Sequence, residues 1–450
     1  MDKVMRKHLM MRSLKLLHIL VTVLLFGVCW DTYYANQIGV QATQAGCLVA
    51  VGVYFILIIL LGRIYNAYLV GTSRVSQLIC SQILTAVFAA GISYILACAI
   101  VLRLMNPLPL MGIVLVQIAW CVLWSLLANR TYFFISPPRK TVIIFNSENE
   151  KRKLEEVKYF DKKFEIIKTI AAESDRSLEE NLEEAEAVFL AGTTLEEQSS
   201  VMKYCIVNGI QCYFMPRVGD VIMTGATYMQ SFHVPIMRIQ RASLKLEYLF
   251  VKRLVDVVCA LAGIVVASPF MAVTALAIKL YDGGPVLYKQ VRLTKDYKEF
   301  KVLKFRSMRT DAEKDGIARL STENDDRITP IGKIIRKIRF DELPQLFNIL
   351  KGDMTIVGPR PERPEIAAQY EKEIPSFGLR LQVKAGLTGF AQVYGRYNTE
   401  PYDKLKMDLM YINNMSFEED LRLMFATVKI LFEKESTEGV SEGQITASVK

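Results

Sequence analysis

The chain opens with four long apolar segments separated by short polar stretches. They cover roughly 14–34, 47–68, 79–102 and 108–128. Each has about 20 residues or more, which is enough to cross the roughly 30 Å hydrocarbon core of a bilayer as a helix. The sequence therefore predicts a membrane unit of four helices over 1–135. A cleaved signal peptide is the alternative for the first segment, but three similar segments follow it without a small-residue cleavage site.

Positive charges in the loops predict the orientation of these segments. Five basic residues precede or begin the first segment: Lys3, Arg6, Lys7, Arg12 and Lys15. The first loop, DTYYANQIGVQATQAG, contains no Lys or Arg, whereas the second contains Arg63 and Arg74. Arg130, Arg139 and Lys140 follow the fourth segment. By the positive-inside rule, both ends of the unit face the cytoplasm.

A different pattern occupies 140–245, where short apolar runs alternate with polar stretches. TVIIFN, FEIIKTI, AEAVFLAG and IQCYFMP are typical of buried strands, and ENEKRKLEEVKYF is typical of a helix. This alternation predicts a small α/β (Rossmann-like) domain with a parallel sheet. The turn after the first strand, NSENEK, lacks the glycines that let a dinucleotide-binding turn approach a pyrophosphate. We therefore expect a spacer or a self-association domain that forms a homodimer.

The segment 254–280 is also long enough to span a bilayer, but it differs from the first four. Asp256 lies near its start, and Ser268 and Pro269 interrupt its middle. Its flanking basic residues are Lys252, Arg253, Lys279, Lys289 and Arg292. Because both flanks are basic, the positive-inside rule favours a re-entrant helix that breaks at Pro269 and returns to the cytoplasmic face. The Ser268 hydroxyl would then satisfy freed backbone groups. The alternative is an ordinary transmembrane helix with a proline kink.

Composition narrows the class of partner. The chain is 52% hydrophobic and carries a net charge of +9. A basic, apolar chain is typical of a membrane protein with cytoplasmic surfaces or of a protein that binds phosphorylated partners. No basic arm or zinc-finger spacing points to nucleic acid. The eight Cys form no CxxC and only three His are present, so neither a zinc site nor a disulfide framework is indicated.

Downstream of 254–280, basic side chains are interleaved with tight turns and a few acids. The candidate phosphate ligands are Lys304, Arg306, Arg339, Arg360 and Arg363. Gly358, Gly386 and Gly389 mark turns among them, and Asp341 and Glu342 lie inside this basic region. Arginine binds phosphate oxygens in bidentate geometry, so a phosphorylated substrate fits. Taken singly, each arginine is more often a solvated surface charge.

The stretch RKIRFDELPQ is the densest part of this region. It can be interpreted as a helix start, with Asp341 near the N-cap and Pro344 in the first turn, where a missing N–H is tolerated. A helix N-terminus also favours anions. A capping role and a catalytic role for the acidic pair are therefore compatible.

Four stretches of the C-terminal part closely resemble motifs of the bacterial sugar transferase family, the monotopic polyprenyl-phosphate phosphoglycosyl transferases. They are VLKFRSM (302–308), DELPQLFNILKGDM (341–354), VGPRP (357–361) and AGLTGFAQV (385–393). The resemblance covers essentially 250–433 and implies a monotopic, α-rich catalytic domain there, with 434–450 as a flexible tail. The four-helix start and the α/β middle are similar to the large family members, which begin capsule or exopolysaccharide assembly.

The resemblance implies a reaction in the bacterial inner membrane, on its cytoplasmic face. Sugar-1-phosphate would pass from a UDP-sugar to undecaprenyl phosphate, with release of UMP. The family's catalytic dyad falls on Asp341 and Glu342, and the break of its re-entrant helix falls on Ser268 and Pro269. Asp341 would form a covalent aspartyl intermediate, and Mg²⁺ bound by Asp341 and Glu342 would neutralise phosphate charge. Glu342 would help to bind the metal or manage a proton.

One departure from the family and two other functions stay open at this point. Many members have a Gly-x-x-Gly turn where this chain reads RLTKDYKEF, with Thr294 and Tyr297 in those places, which predicts a changed turn shape. A catalytically silent scaffold of polysaccharide assembly is the main alternative function. A transporter is disfavoured because the first four segments lack intramembrane charges. Galactose, glucose and N-acetylated sugars all fit as the transferred group.

Overall fold

The computed structural model describes residues 3–35, 44–155, 160–172, 178–229, 234–241, 245–310, 325, 327–395 and 399–430. The chain divides into two compact units, Met1–Met215 and Pro216–Lys450. The division lies upstream of the predicted boundary at 245, because the helix Val218–Thr224 packs against the helix Pro401–Asn413 of the second unit. The predicted tail, 434–450, lies outside the described residues.

The first unit begins with long apolar helices, as the sequence predicts. They are α1 (Lys3–Cys29), α2 (Gln44–Ile64), α3 (Val75–Val101) and α4 (Leu108–Ile135). A π-helical turn, Trp30–Tyr34, extends α1. All four are long and apolar enough to cross a membrane, and at most 39% of each apolar window is buried within the protein. Most of their side chains therefore face outward, where lipid would surround them.

Polar side chains of these helices turn inward and bond to one another. Gln117 donates to the Thr22 carbonyl at 2.8 Å and accepts from the Tyr54 hydroxyl at 3.1 Å. The Ser125 hydroxyl donates to Gln82 at 3.0 Å. Lipid tails offer no hydrogen-bond partners, so polar groups at this depth must find them inside the bundle.

The α/β part of the first unit contains a four-stranded parallel sheet, which confirms the predicted strands. The strands are β1 (Arg139–Phe145), β2 (Phe164–Ala171), β3 (Ala187–Ala191) and β4 (Gln211–Phe214), in the order β2-β1-β3-β4. Its helices are α5 (Glu148–Glu155), α6 (Phe160–Lys163), α7 (Leu178–Leu182) and α8 (Leu195–Val207). The turn after β1 leads into acidic Glu148 and Glu150. These carboxylates would repel a phosphate at that helix start.

The second unit surrounds one long helix, α10, with short strands and helices. Its elements are α9 (Val218–Thr224), β5 (Thr227–Met229), β6 (Ile236–Arg238), α10 (Leu246–Asp282), β7 (Leu287–Leu293), β8 (Glu299–Phe305), α11 (Pro330–Lys337), α12 (Gln345–Lys351), β9 (Thr355–Val357), α13 (Pro364–Glu373), β10 (Gly386–Thr388), α14 (Phe390–Tyr394), α15 (Pro401–Asn413) and α16 (Phe417–Ile430). β7 and β8 form an antiparallel hairpin, and β9 pairs with β10 in parallel.

The helix α10 continues through Pro269 as one helical element. Proline has no N–H, so the Val265 carbonyl loses the bond that residue 269 would give it. The Ser268 hydroxyl donates to that carbonyl at 2.9 Å. The Ser268 hydroxyl thus satisfies the freed carbonyl, as predicted, but the predicted break at Pro269 is not seen, because α10 runs through the proline as one helix. The re-entry of the helix stays a prediction.

Charged side chains bind the first half of α10 to other elements of the second unit. Arg253 donates to the carbonyls of Ile349 and Leu350 at 2.6 and 2.7 Å, at the end of α12. Asp256 accepts from the Thr355 hydroxyl at 2.7 Å and from the Ile356 N–H at 2.9 Å. These bonds explain an acid inside an apolar helix, because Asp256 is buried against β9.

The turn between β7 and β8 adopts a left-handed backbone at two residues that are not glycine. Asp296 and Tyr297 have φ values of 58° and 59°. The Tyr297 hydroxyl donates to Glu371 at 2.8 Å, and the Thr294 hydroxyl accepts from the Ala385 N–H at 3.0 Å. Side-chain bonds to other segments thus help to offset the strain of a left-handed turn.

Candidate active site

Asp341 and Glu342 lie in a 3₁₀ turn, Phe340–Glu342, between α11 and α12. The predicted N-cap role of Asp341 is wrong, because α12 begins only at Gln345, with Pro344 at its N-cap. Arg339 adopts a left-handed conformation, φ 56°, that ends the path of α11 before the pair. The carboxylates therefore stand on a tight turn and cap no helix.

The residues on either side of the pair fix this turn to α10. Phe340 and Leu343 join the apolar cluster of Ile278 and Ile335. The Phe340 ring also meets the Phe270 ring edge-on, with centroids 5.9 Å apart. The dyad is thus held against the part of α10 that follows Pro269.

Glu342 is enclosed by cations. Lys304 Nζ and Arg360 Nη2 both lie 2.9 Å from its Oε1, and its side chain is only 14% exposed. Burial raises the pKa of Glu342, but Lys304, Arg360 and Arg339 outweigh that effect and hold it well below its usual range. Glu342 therefore stays ionised as a fixed negative charge.

Asp341 has the opposite electrostatic balance. Burial raises the pKa of its carboxyl; Lys304 opposes the rise, Glu342 adds to it, and the net pKa lies above the ordinary value. Within the described residues Asp341 forms no ion pair or hydrogen bond through its carboxylate. A poorly solvated carboxylate without a partner is available to react or to bind a cation.

The structure separates the five predicted phosphate ligands into two groups. Lys304, Arg339 and Arg360 lie at the dyad, since each lowers the pKa of Glu342. Arg306 instead forms an ion pair with Asp282 at the end of α10. Arg363 occupies the N-cap position of α13. The pattern of basic residues alone could not separate these groups.

Two paired glycine turns place Arg360. The Gly358 N–H donates to the Thr388 carbonyl at 2.8 Å, and the Gly386 N–H donates to the Pro359 carbonyl at 2.9 Å. A Cβ on Gly386 would lie only 2.1 Å from the Gly358 nitrogen. Only glycine permits this close approach, so the turns VGPRP and AGLTGF form one rigid support for Arg360.

Sequence reasoning missed a buried ion pair behind Arg360. Arg380 is 4% exposed, and its Nη2 lies 2.7 Å from Asp408, which is 1% exposed. A signal was present: Asp408 occupies the apolar face of α15 that also carries Leu405, Leu409 and Ile412. An acid at such a position requires a buried partner.

The dyad fits a magnesium ion that arrives with a phosphorylated substrate. Mg²⁺ usually binds through one or two carboxylates together with waters and substrate phosphates. Asp341 and the second oxygen of Glu342 would be its protein ligands, because Glu342 Oε1 already contacts two cations. No group of three or more potential ligands gathers among the described residues, so the pair does not resemble a closed metal cage.

Comparison with known proteins identifies the family. The family model described as Bacterial sugar transferase matches residues 247–434. The exopolysaccharide production protein PSS of Rhizobium leguminosarum bv. phaseoli is 43% identical over 189 residues, which cover 40% of this chain and 94% of that protein. The chain belongs to the bacterial sugar transferase family.

Two larger relatives carry more informative names. The UDP-N-acetylgalactosamine-undecaprenyl-phosphate N-acetylgalactosaminephosphotransferase of Aeromonas hydrophila is 42% identical over 232 residues, covering 50% of this chain and 53% of that protein. The UDP-glucose:undecaprenyl-phosphate glucose-1-phosphate transferase of Klebsiella pneumoniae is 40% identical over 200 residues, with 43% of each chain covered. The chain thus spans about half the length of these bacterial sugar transferases.

Proposed function

We propose that the protein transfers a sugar-1-phosphate from a UDP-sugar to undecaprenyl phosphate and releases UMP. Such a transfer would be the first membrane step of exopolysaccharide or capsule synthesis. The observation that carries the proposal is the Asp341 carboxylate, which has no bonded partner among the described residues and lies beside Glu342, Lys304 and Arg360. The names of the relatives support an undecaprenyl phosphate acceptor, and they differ in the sugar.

Two displacements at phosphorus account for the reaction. A carboxylate oxygen of Asp341 attacks the sugar-bearing phosphate, the P–O bond to UMP breaks, and an acyl phosphate forms. A phosphate oxygen of undecaprenyl phosphate then attacks the same phosphorus, and the aspartate carboxylate leaves unchanged. Each step forms one P–O bond and breaks one, so no redox partner or net proton is needed.

The surrounding charges suit these displacements. Lys304, Arg339 and Arg360 provide positive charge next to the nucleophile, and phosphoryl transfer depends mainly on positioning and charge neutralisation. The fixed negative charge of Glu342 orders Lys304 and Arg360 by binding both through one oxygen. Bound Mg²⁺ would supply further neutralisation of the phosphate oxygens.

The packing of α10 supports the proposal that this helix enters and leaves on one face of the membrane. Asp256 is bound to β9, and Ile278 packs with Phe305 of β8. A straight helix rises roughly 33 Å between these two positions, about the thickness of the hydrocarbon core. One compact unit holds both positions, which favours re-entry from the cytoplasmic face over a crossing.

The opposite face of α10 is suited to lipid. Its exposed apolar side chains include Leu254, Val258, Leu261, Val265, Val266, Val273 and Leu276. Cysteines introduced near Lys252 and Lys289, at the exposed positions Glu247 and Lys289, test the topology: both should react with an impermeant reagent only from the cytoplasmic side. Labelling from opposite sides would show a crossing helix and overturn the re-entrant proposal.

The reaction is tested by UMP release from a panel of UDP-sugars. The full chain in lipid nanodiscs is given undecaprenyl phosphate and Mg²⁺, and the donors include UDP-glucose, UDP-galactose and their N-acetylated forms. We expect at least one donor to release UMP. Release should exceed one equivalent per enzyme only when the lipid acceptor is present. No UMP from any donor would contradict the proposal and favour a silent scaffold of polysaccharide assembly.

A further inference from the structure

A group of buried charges lies behind the segment that carries Arg360. Arg380 belongs to the 3₁₀ helix Phe377–Gln382, and only 4% of its side chain is exposed. Asp408 of α15 lies 2.7 Å from Arg380 Nη2, and Glu362 lies 3.7 Å from its Nη1. Burying a guanidinium costs several kcal/mol unless its partners are well placed. Three charges therefore occupy the interior beside the site without contacting the dyad in the described part of the chain.

The same arginine reaches the backbone of Arg360. Arg380 Nη2 donates to the Arg360 carbonyl at 2.9 Å. A second, partly buried arginine acts on the next residue, because Arg292 Nη1 donates to the Pro361 carbonyl at 3.0 Å. Glu362 lies between them, 3.7 Å from each guanidinium. Two consecutive carbonyls of the segment thus accept hydrogen bonds from two arginines, one buried and one partly buried.

Arg380 is itself held in place before it contacts Arg360. Its guanidinium carbon lies 5.0 Å from the centroid of the Phe377 ring. Together with Asp408 and Glu362, this stacking leaves Arg380 little rotamer freedom. A rigid donor can fix the position of the carbonyl that it binds, whereas a solvated surface arginine could not.

The side chain of Arg360 needs this support. It is 44% exposed, yet its Nη2 must stay 2.9 Å from Glu342 Oε1. A partly exposed arginine retains many accessible rotamers, so a misplaced backbone would readily release that contact. The Gly358 turn fixes the backbone on one side, and Arg380 fixes it on the other.

We propose that Arg380, held by Asp408, is a positioning residue that sets Arg360 against Glu342. The inference rests on the proposed function, since Arg360 is assigned there to charge neutralisation. Arg380 does not touch the dyad, and it acts only through the backbone of Arg360. Its removal should therefore matter only while the Arg360 guanidinium is present.

A double-mutant cycle on the full chain in nanodiscs tests this. Arg380→Met should lower kcat by about thirtyfold, since misplacement by about 1 Å can cost a hundredfold. The KM for the donor should change by less than about threefold, as expected for a loss in the transition state alone. In an Arg360→Met background, Arg380→Met should cost less than about threefold, because the residue through which it acts is gone. An equal loss in both backgrounds would show a merely structural role and overturn the proposal.

Asp408→Asn provides a second variant that retains the volume of the side chain. It should lower kcat about tenfold by loosening Arg380. The matched control is Asp403→Asn, which breaks an ion pair with Lys406 at 2.6 Å on the same helix. The control should keep the wild-type kcat, and equal losses in the two variants would overturn the proposal.

Amide hydrogen exchange supplies a readout that needs no turnover. In Arg380→Met, exchange should accelerate at the backbone N–H groups of 358–363. The control is Arg241→Met, which breaks an exposed ion pair with Asp296 and should leave exchange at 358–363 unchanged. Unchanged exchange at 358–363 in Arg380→Met would contradict the positioning role. Failure of the wild-type chain to release UMP would instead refute the proposed function, and the exchange result would still decide the positioning role.

Discussion

The α/β sheet of the first unit and the candidate site of the second unit differ in whether their charged side chains are exposed or buried. In the sheet, the interior is apolar: Val142 and Val188 are fully buried, and charges such as Lys140 and Glu184 pair in solvent. At the site, Lys304, Glu342 and Arg380 are largely withdrawn from solvent. Buried charges stabilise a fold poorly. Their concentration in one region therefore marks that region as the functional one.

The largest expected effect separates the reacting carboxylate from an exposed one. Asp341→Asn should lower kcat by about 10⁴-fold or more, because an amide of the same size is a very poor nucleophile. Glu148→Gln, at the acidic start of α5, should leave kcat unchanged, since its side chain is 75% exposed. UMP release measures both. Near-normal turnover in Asp341→Asn would contradict the assignment of Asp341 as the reacting carboxylate.

The next effect concerns the cations around Glu342. Lys304→Met should lower kcat by about a hundredfold, the usual range for removing one charge-stabilising donor from a site. Because Lys304 also lowers the pKa of Asp341, its loss should move the acid limb of the kcat profile to higher pH. Lys351→Met is the control, since Lys351 is 74% exposed and pairs only at the surface with Asp353. A variant at 304 with wild-type kcat and profile would contradict the assignment.

The ionisation of Asp408 should make the effect of Asp408→Asn on kcat depend on pH. Burial raises the pKa of Asp408 to about 6, against the opposing effect of Arg380, and Glu362, Lys404 and Arg380 face the same carboxyl. Above that pH Asp408 is charged and holds Arg380; below it the carboxyl is neutral, as in Asp408→Asn. The ratio of wild-type to variant kcat should therefore be about ten at pH 8 and approach one below pH 5.

Measuring this ratio cancels the titration of groups that both proteins share. The pH series is run on UMP release with wild type and Asp408→Asn in parallel. A ratio that stays constant from pH 5 to pH 8 would show that ionised Asp408 does not support the reaction.

The smallest effect is expected in the α/β sheet. NAD titrated into the full chain should show no saturable binding below about 1 mM, because a pyrophosphate needs glycine N–H groups that the turn after β1 does not offer. Isothermal titration calorimetry measures this directly. Micromolar binding that an excess of UDP-sugar does not displace would assign a ligand to the first unit and contradict this prediction.

The hydrophobic pattern of the sequence predicted the helices and strands whose formation depends mainly on local sequence. The apolar helices and the four parallel strands follow from run length and alternation, and the need for Gly358 and Gly386 follows from turn chemistry. The roles of Asp341 and Glu342 follow from motifs that resemble a family, whereas the pattern of basic residues predicts Lys304 and Arg360 as phosphate ligands. Their contacts with Glu342 were not predicted. The N-cap prediction failed because Asp341 lies in a 3₁₀ turn after the left-handed Arg339, and α12 begins only at Gln345. No local composition specifies the left-handed backbone of Arg339.

Contacts across long sequence separations could not be predicted. Arg306 belongs to the same motif as Lys304, yet it pairs with Asp282 at the end of α10. The bond from Arg380 to the Arg360 carbonyl joins two turns through a backbone atom, which carries no side-chain signal. Such contacts depend on how the hairpin β7–β8 and the helix α15 pack, and periodicity does not determine that packing.

In the proposed mechanism, Asp341 becomes covalently attached to the sugar phosphate. The most direct measurement incubates the full chain with a donor labelled in the sugar, without lipid acceptor, and follows the label on the protein by mass spectrometry of the peptide containing Asp341. We expect label on Asp341, release of one equivalent of UMP, and loss of the label when undecaprenyl phosphate is added. UMP that appears only when both substrates are present, with no label on Asp341, would contradict the covalent mechanism.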